Sequence, residues 1–529
     1  MTANNKKIPR ANLKSKVMSM GRQAGVGIHV SSLPGECGIG DIADSAMSFV
    51  DRLVEMGLGV WQFLPLGPTA YGDSPYQPLS AFAGNANLIG LAPLVKLGLL
   101  KESELDCLRD LPAEFTDYGR LIPLKRSLLA LAAERFQVRQ GNGLQVEYEA
   151  FLHCNADRWL DDYALFRVLK SAHGERPWPD WEQEYVRREA LALEKARASW
   201  RDNIERTRVT QFLFDRQWQA LKAYAGERGV CLFGDMPIYI ALDSADAWAN
   251  REMLLLDRDG RPSHVAGVPP DYFSDDGQLW GNPLYDWAYH EETGFRWWIE
   301  RVRHAASRTH LVRIDHFRGF ESFWSVPCGA TTAREGEWEP GPGNALFEAL
   351  EDSLGLLPIV AEDLGVITPE VDALRKNHGI PGMVVLQFEV DDPDFDPDVI
   401  EENSVCYTGT HDNDTTAGWF RGNGDDTRTP EAIRKTRKRA LELTGGAPDT
   451  IHWDLISLAF SCRSVLAIAP MQDYLGLGSQ ARFNTPGTTG NNWRWRMRTD
   501  ELRPELIGNV ADLVRQTSRE PRRSLDFAP

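Results

Sequence analysis

Eight apolar runs punctuate the chain, and most give way to Gly, Pro, Asp or His. They are GVGIHVSSLP (25–34), VWQFLPLGP (60–68), GVCLFGDMPIYI (229–240), HLVRIDHFRGF (310–320), LPIVAEDLG (357–365), GMVVLQFEV (382–390), SVCYTGTHDN (404–413) and SVLAIAPMQDYL (464–475). Runs that are apolar nearly throughout predict strands covered on both faces, and such strands are parallel. Helical signals fall between them. Asp41 precedes Ile42, Ala46, Phe49 and Leu53 at three- and four-residue spacing, with Gly57 as the stop. Thr368-Pro369-Glu370 and Thr429-Pro430-Glu431 each read as N-cap, N1 proline and acidic first turn, closing at Gly379 and at Gly445-Gly446. Eight such strands alternating with helices predict an α/β fold, a (β/α)8 barrel, over residues 23–529.

Two stretches interrupt that alternation. The gap between the second and third runs is too long for a loop. Stretches 124–139, 149–172 and about 185–227 are helical in pattern and highly charged, so a mainly helical subdomain is expected over 69–228. Residues 241–300 are rich in Trp, Tyr, Pro and Gly, and a structured, loop-rich insertion after strand 3 is expected to wall a substrate groove there. Residues 1–22 carry six Lys/Arg, no acid and no apolar segment of a signal peptide. They read as a disordered basic tail, with a short plastid-type transit segment as the alternative.

Composition narrows the function classes. With 58 Lys+Arg against 76 Asp+Glu, the net charge of −18 repels polyanions, which argues against a nucleic-acid or anionic-membrane partner. No apolar run reaches the ~18 residues of a transmembrane helix. Seven cysteines are scattered without a CxxC pair, which fits reduced thiols in a cytoplasmic enzyme. No GxSxG elbow, P-loop or helix-opening GxGxxG is present, so no nucleotide cofactor is expected.

The candidate chemistry is carboxylate chemistry. Barrel enzymes place their active groups at the C-terminal ends of the strands, and Asp235, Asp315, Glu362, Asp412 and Asp473 all fall there. A cap or an ion pair could explain any one of them; five converging on one face favour catalysis. In RIDHFRG, strand alternation sends Arg313 and Asp315 to the same side, so the guanidinium can keep a nucleophilic carboxylate charged. Glu362 is the complementary acid/base, because a second carboxyl near an anionic one resists ionisation. Two carboxyls about 5–5.5 Å apart would suit retaining glycoside chemistry. Asp363 alternates away and reads as structural. Asp412, flanked by His411, is a third acid for gripping sugar hydroxyls. His29, His316 and His411 lie at strand ends without an HxxxH pair, which speaks against zinc and for hydroxyl contacts. Trp248, Trp280, Trp287 and Trp324 fall in the expected loops as sugar platforms or as core.

Several long strings together resemble one family: GDSPYQ (72–77), FGDMPIY (233–239), HVAGVPPDYFS (264–274), LWGNPLYDW (279–287), VRIDHFRGF (312–320), AEDLG (361–365), GTHDND (409–414) and FNTPGTTGNNWRWR (483–496). The chain is similar to the amylomaltases or disproportionating enzymes, the 4-α-glucanotransferases of the α-amylase clan. The resemblance implies Asp315 as nucleophile, Glu362 as general acid/base and Asp412 as transition-state stabiliser. It implies sugar contacts from Arg313, His316 and His411, and a groove lined by Tyr76, Asp235, Trp280 and Asn484. It further implies α-1,4-glucans and maltooligosaccharides as donor and acceptor, with no organic cofactor and no catalytic metal. A monomer or weak homo-oligomer is expected. An α-1,4-glucan hydrolase using the same acids, or a non-catalytic glucan-binding protein, are the alternatives.

Overall fold

The computed structural model describes residues 15–139, 143–270, 276–422, 427–488 and 490–521. Residues 1–14 of the expected tail, and 271–274 and 489 within the quoted motifs, lie outside the described residues. Twelve strands are described: β1 (Gln23–Gly27), β2 (Val60–Gln62), β3 (Cys231–Pro237), β4 (His264–Val268), β5 (Gln278–Pro283), β6 (Leu311–Asp315), β7 (Ser322–Pro327), β8 (Glu337–Pro340), β9 (Ile359–Ala361), β10 (Gly382–Val385), β11 (Ser404–Tyr407) and β12 (Leu466–Pro470). Eight of them form one parallel sheet in the order β10-β11-β12-β1-β2-β3-β6-β9. The two edges approach one another where the Ala361 amide donates to the Pro381 carbonyl at 2.8 Å, closing a (β/α)8 barrel. Each of the eight apolar runs supplies one of these strands.

Alternation along the strands builds both the barrel's inside and its mouth. Cys231 and Phe233 of β3, Leu311 of β6 and Val360 of β9 fill the lumen with Val405 and Ile468. Their neighbours Leu232, Val312 and Ile359 belong to the outer clusters that face the helices. Two residues further along each strand, the lumen side is occupied by Asp235, Arg313 and Glu362, and then by Asp315. The same period that makes the core therefore raises a polar ring at the C-terminal ends.

The base of the lumen corrects one expectation. Residues 15–22 are not a disordered tail: Lys16–Ser19 form a helical turn whose N-cap is Ser15, accepting from the Met18 amide at 3.1 Å. Val17 and Met20 join the lumen cluster. Val17 and Met20, with Met18 packed partly against the same cluster, stopper the barrel, and the hydrophobic gain holds the turn in place.

Between β2 and β3 run the helices Tyr118–Val138, Gln145–Asn155, Asp161–Ala172 and Arg201–Glu227. The last docks on the barrel loops through two side-chain amides. Gln211 bonds the Gly84 amide and carbonyl at 2.7 and 2.9 Å, and Gln217 does the same at Gly90 at 2.8 and 2.9 Å. Gly84 must lack a side chain, because a Cβ there would sit 2.2 Å from the Phe214 ring.

The expectation of loops over 241–300 also needs correction. That region contributes β4 and β5 to a second, antiparallel sheet ordered β5-β4-β7-β8, whose other two strands follow β6. Arg296–Arg308, at its end, is a barrel helix preceding β6. Among the described residues no helix is long and apolar enough to cross a membrane.

Candidate active site

Arg313 is the organising residue. It is buried on β6, and its register partner on β3 is Asp235. Its Nη1 donates to both oxygens of Asp235, at 2.9 and 2.8 Å, and its Nη2 donates to Asp315 Oδ1 at 2.7 Å. One planar guanidinium thus fixes two carboxylates. Asp235 is almost wholly buried, while 30% of the Asp315 side chain is exposed to the mouth. Burial raises the Asp235 carboxyl, and Arg313 and the Tyr76 hydroxyl act against that. The Arg313 guanidinium is itself held well above its ordinary range by Asp235 and Asp315, which outweigh its loss of hydration.

Glu362 follows β9 and is held by backbone. Its Oε2 accepts from the His316 amide at 2.6 Å and its Oε1 from the Leu364 amide at 3.2 Å. The His316 amide reaches it because His316 adopts a left-handed conformation (φ 55°, ψ 51°), a conformation non-glycine residues rarely hold outside functional turns. Loss of hydration pushes the Glu362 carboxyl up to about 8, with the charge of Asp315 adding to the rise and Arg313 and the His316 amide opposing it. A carboxyl in that range carries a proton at neutral pH and can give it up.

The third acid, Asp412, stands on the loop after β11. Asn484 Nδ2 donates to its Oδ1 at 2.6 Å, His411 Nε2 lies 3.3 Å from its Oδ2, and Arg482 donates to its backbone carbonyl at 2.7 Å. Tyr76 connects this group to the first. Its hydroxyl donates to Asp235 Oδ2 at 2.7 Å, and its ring stacks on His411 at 5.0 Å and 16°. Burial, followed by the charge of Asp235, keeps the phenol protonated well above its usual range, so Tyr76 remains a donor.

The remaining sequence candidates divide. Trp280 sets its ring edge to face against His316 at 4.7 Å and 86°. His316 is neutral, its pKa lowered to about 3 by burial and then by Arg318, and its buried Nε2 has no hydrogen-bond partner among the described residues. His29 is likewise lowered to about 3, by burial and then by His411, and lines a cleft with Asp235, Arg313 and His411. Asp473 is not in the acid group. Its carboxylate accepts from Thr408 Oγ1 at 2.6 Å and from the Thr416 amide and hydroxyl, both at 2.7 Å, so it ties two loops together. Asp363 pairs with Arg375 at 3.0 Å and accepts from the Met383 amide at 2.7 Å, away from the mouth. Trp248 is fully buried beneath Arg188, and Trp287 packs among Tyr285, Trp298 and Phe320, which makes both of them core.

Sequence reasoning passed over Trp493. Its ring lies 5.9 Å from both Tyr76 and His411, on backbone with φ 63°. The Gly- and Asn-rich residues just ahead of this tryptophan, Gly490-Asn491-Asn492, were the available signal. Among the described residues no group of three His, Cys, Asp or Glu could hold a metal ion.

A (β/α)8 barrel whose mouth holds an Arg-bridged aspartate, a proton-bearing glutamate and a third carboxylate belongs to the class of barrel enzymes that work on glycosidic bonds. Comparison with known proteins narrows this. The profile described as 4-alpha-glucanotransferase matches residues 28–501, and the chain belongs to that family. It is 46% identical over 501 residues to the 4-alpha-glucanotransferase of Synechocystis sp., covering 93% of this chain and 96% of that one. To the 4-alpha-glucanotransferase of Thermus thermophilus it is 44% identical over 509 residues, covering 95% and 100%. The structure of an amylomaltase from Streptococcus agalactiae in complex with acarbose superposes with a TM-score of 0.89 at 36% identity, covering 94% of this chain and all of that one.

Proposed function

We propose that the chain transfers segments of α-1,4-glucan between maltooligosaccharides by double displacement, with Asp315 as nucleophile, Glu362 as acid and then base, and Asp412 as stabiliser of the charged transition state. The observation that carries this reading is the unlike surroundings of two neighbouring carboxyls: Asp315 accepts from a guanidinium, and Glu362 is raised to about 8 by loss of hydration and the charge of Asp315. In the first half, Glu362 gives its proton to the glycosidic oxygen while Asp315 attacks C1. The C1–O bond breaks, the reducing-end fragment leaves with the proton, and the glucan is held as an ester of Asp315. In the second half, Glu362 takes the proton from the 4-hydroxyl of an acceptor glucan, whose oxygen displaces Asp315 from C1 with net retention. Asp412, bonded to Asn484 and beside His411, would stabilise the planar, positively charged sugar. His316 Nε2 and Tyr76 supply polar contacts for hydroxyls, and Trp280 an apolar wall.

Incubation of the protein with maltotriose alone tests the reading. Glucose together with a ladder of longer chains, at a constant number of reducing ends, is the expected outcome. Rising reducing ends without longer products would make the protein a hydrolase.

The state of Glu362 has its own consequence. The glycosylation step needs the protonated form, so kcat/KM should hold through neutral pH and fall as pH rises through about 8. Glu362→Gln should lower the rate by about 10²–10⁴-fold and remove that alkaline limb. A wild-type profile still rising above about pH 9 would contradict the assignment.

A further inference from the structure

The antiparallel sheet carries aromatic surface that the three-acid site does not use. Trp338 on β8 stands across from Trp324 on β7, with the rings edge to face at 5.1 Å and 67°. Trp324 in turn pairs with Gly267 on β4, and Gly267 with Leu279 on β5. Cross-strand partners project to the same face. One face therefore carries Leu279, a glycine gap, Trp324 and Trp338 in a single row. Trp338 is 40% exposed and Leu279 42%. A row of large apolar side chains left in solvent marks a binding surface more often than a packing accident.

The row is rigid. Trp324 Nε1 donates to the Ala333 carbonyl at 2.8 Å, and a Cβ at Gly336 would lie 2.3 Å from that nitrogen. The indole is thus laid flat against backbone that only glycine permits. Arg318 sets its guanidinium 3.8 Å from the centre of the Trp338 ring. The same guanidinium bonds the Val366 carbonyl and Ser322 Oγ, the latter at 3.2 Å. Arg318 lies two residues beyond His316, and Val366 four beyond Glu362. The aromatic row therefore begins where the two loops that bear the acid/base pair end.

We propose that Trp338, backed by Trp324 and Arg318, is a stacking platform for a glucose unit of a long α-1,4-glucan whose reacting bond lies at the three-acid site. The inference rests on the glucan-transfer reading and extends it to chain-length selection. An indole held by Arg318 and Trp324 yet still partly open to solvent offers what the apolar C–H face of a pyranose needs: area at little rotamer cost. Three side chains fall far short of the ~800 Å² per partner of a stable protein interface, so a narrow chain fits the surface better than a protein.

The test compares wild type with Trp338→Ala and Trp338→Phe on two substrates, maltotriose and amylose. Trp338→Ala should raise KM for amylose about fivefold or more while maltotriose kinetics stay within twofold, and Trp338→Phe should recover most of the loss. Equal KM for amylose in wild type and Trp338→Ala would overturn the platform. So would a matching loss on both substrates, which would report general damage. Retardation in amylose-containing native gels, with Asp315→Asn introduced into wild type and into each Trp338 variant, reads binding without turnover. Weaker retardation on loss of Trp338 supports the platform even if the transfer reading fails, and unchanged retardation rejects it even if transfer is confirmed.

Discussion

Asp315→Asn is expected to lower kcat for maltotriose disproportionation by about four orders of magnitude or more, with the fold intact. The amide keeps the size of the carboxylate, and its carbonyl oxygen can still accept from Arg313 Nη2, so the surrounding geometry has no reason to change. What disappears is the anionic oxygen that forms the bond to C1. Retained circular dichroism and thermal midpoint alongside lost turnover would assign the loss to chemistry. Activity within tenfold of wild type would remove Asp315 from the nucleophile's place.

The second large effect is on folding as well as rate. Arg313→Ala should lower stability by about 3–5 kcal/mol, because Asp235 would stay buried with its main counter-charge gone. It should also abolish measurable transfer, since Asp315 would lose the bond that orients it. Arg313→Lys is the informative partner. An ammonium carries its three donors on one nitrogen and lacks the planar fork whose two nitrogens reach Asp235 and Asp315 separately, so stability should recover more than activity. Urea midpoints beside kcat would show the split. A wild-type midpoint in Arg313→Ala would show that the buried pair is dispensable.

Much of this architecture was legible in the sequence, for a physical reason. Strands buried on both faces must be apolar throughout, so all eight barrel strands stood out as runs, and the polar residues ending those runs marked the mouth. The second sheet was not legible. Its four strands are short, and they lie in two pairs on either side of β6 in the chain, so no local pattern joins His264–Val268 to Ser322–Pro327. Position alone could not separate Asp473 from Asp412, because both follow strands. Only the three bonds from Thr408 and Thr416 show that Asp473 is consumed by structure. The helical turn at Lys16–Ser19 was hidden by its shortness and its basic surroundings, since three apolar side chains, Val17, Met18 and Met20, carry its burial. The link from Tyr76 to Asp235 spans 159 residues and is a property of the barrel as a whole.

The two ends of the described chain meet at the barrel's base. The Ala24 amide donates to the Arg519 carbonyl at 3.2 Å, and Arg519 and Arg22 share the carbonyls of Phe460 and Cys462, just ahead of β12. The ends of the described chain therefore lie on the face opposite the strands' C-terminal ends, where the three acids stand. A short linker could join the ends in a circular permutant whose new termini open in a surface loop of the helical region. A tether to a bead or to a second enzyme attached at the described ends, near Arg22 or Arg519, would leave the mouth facing outward, free to take up a polymer far longer than the protein itself.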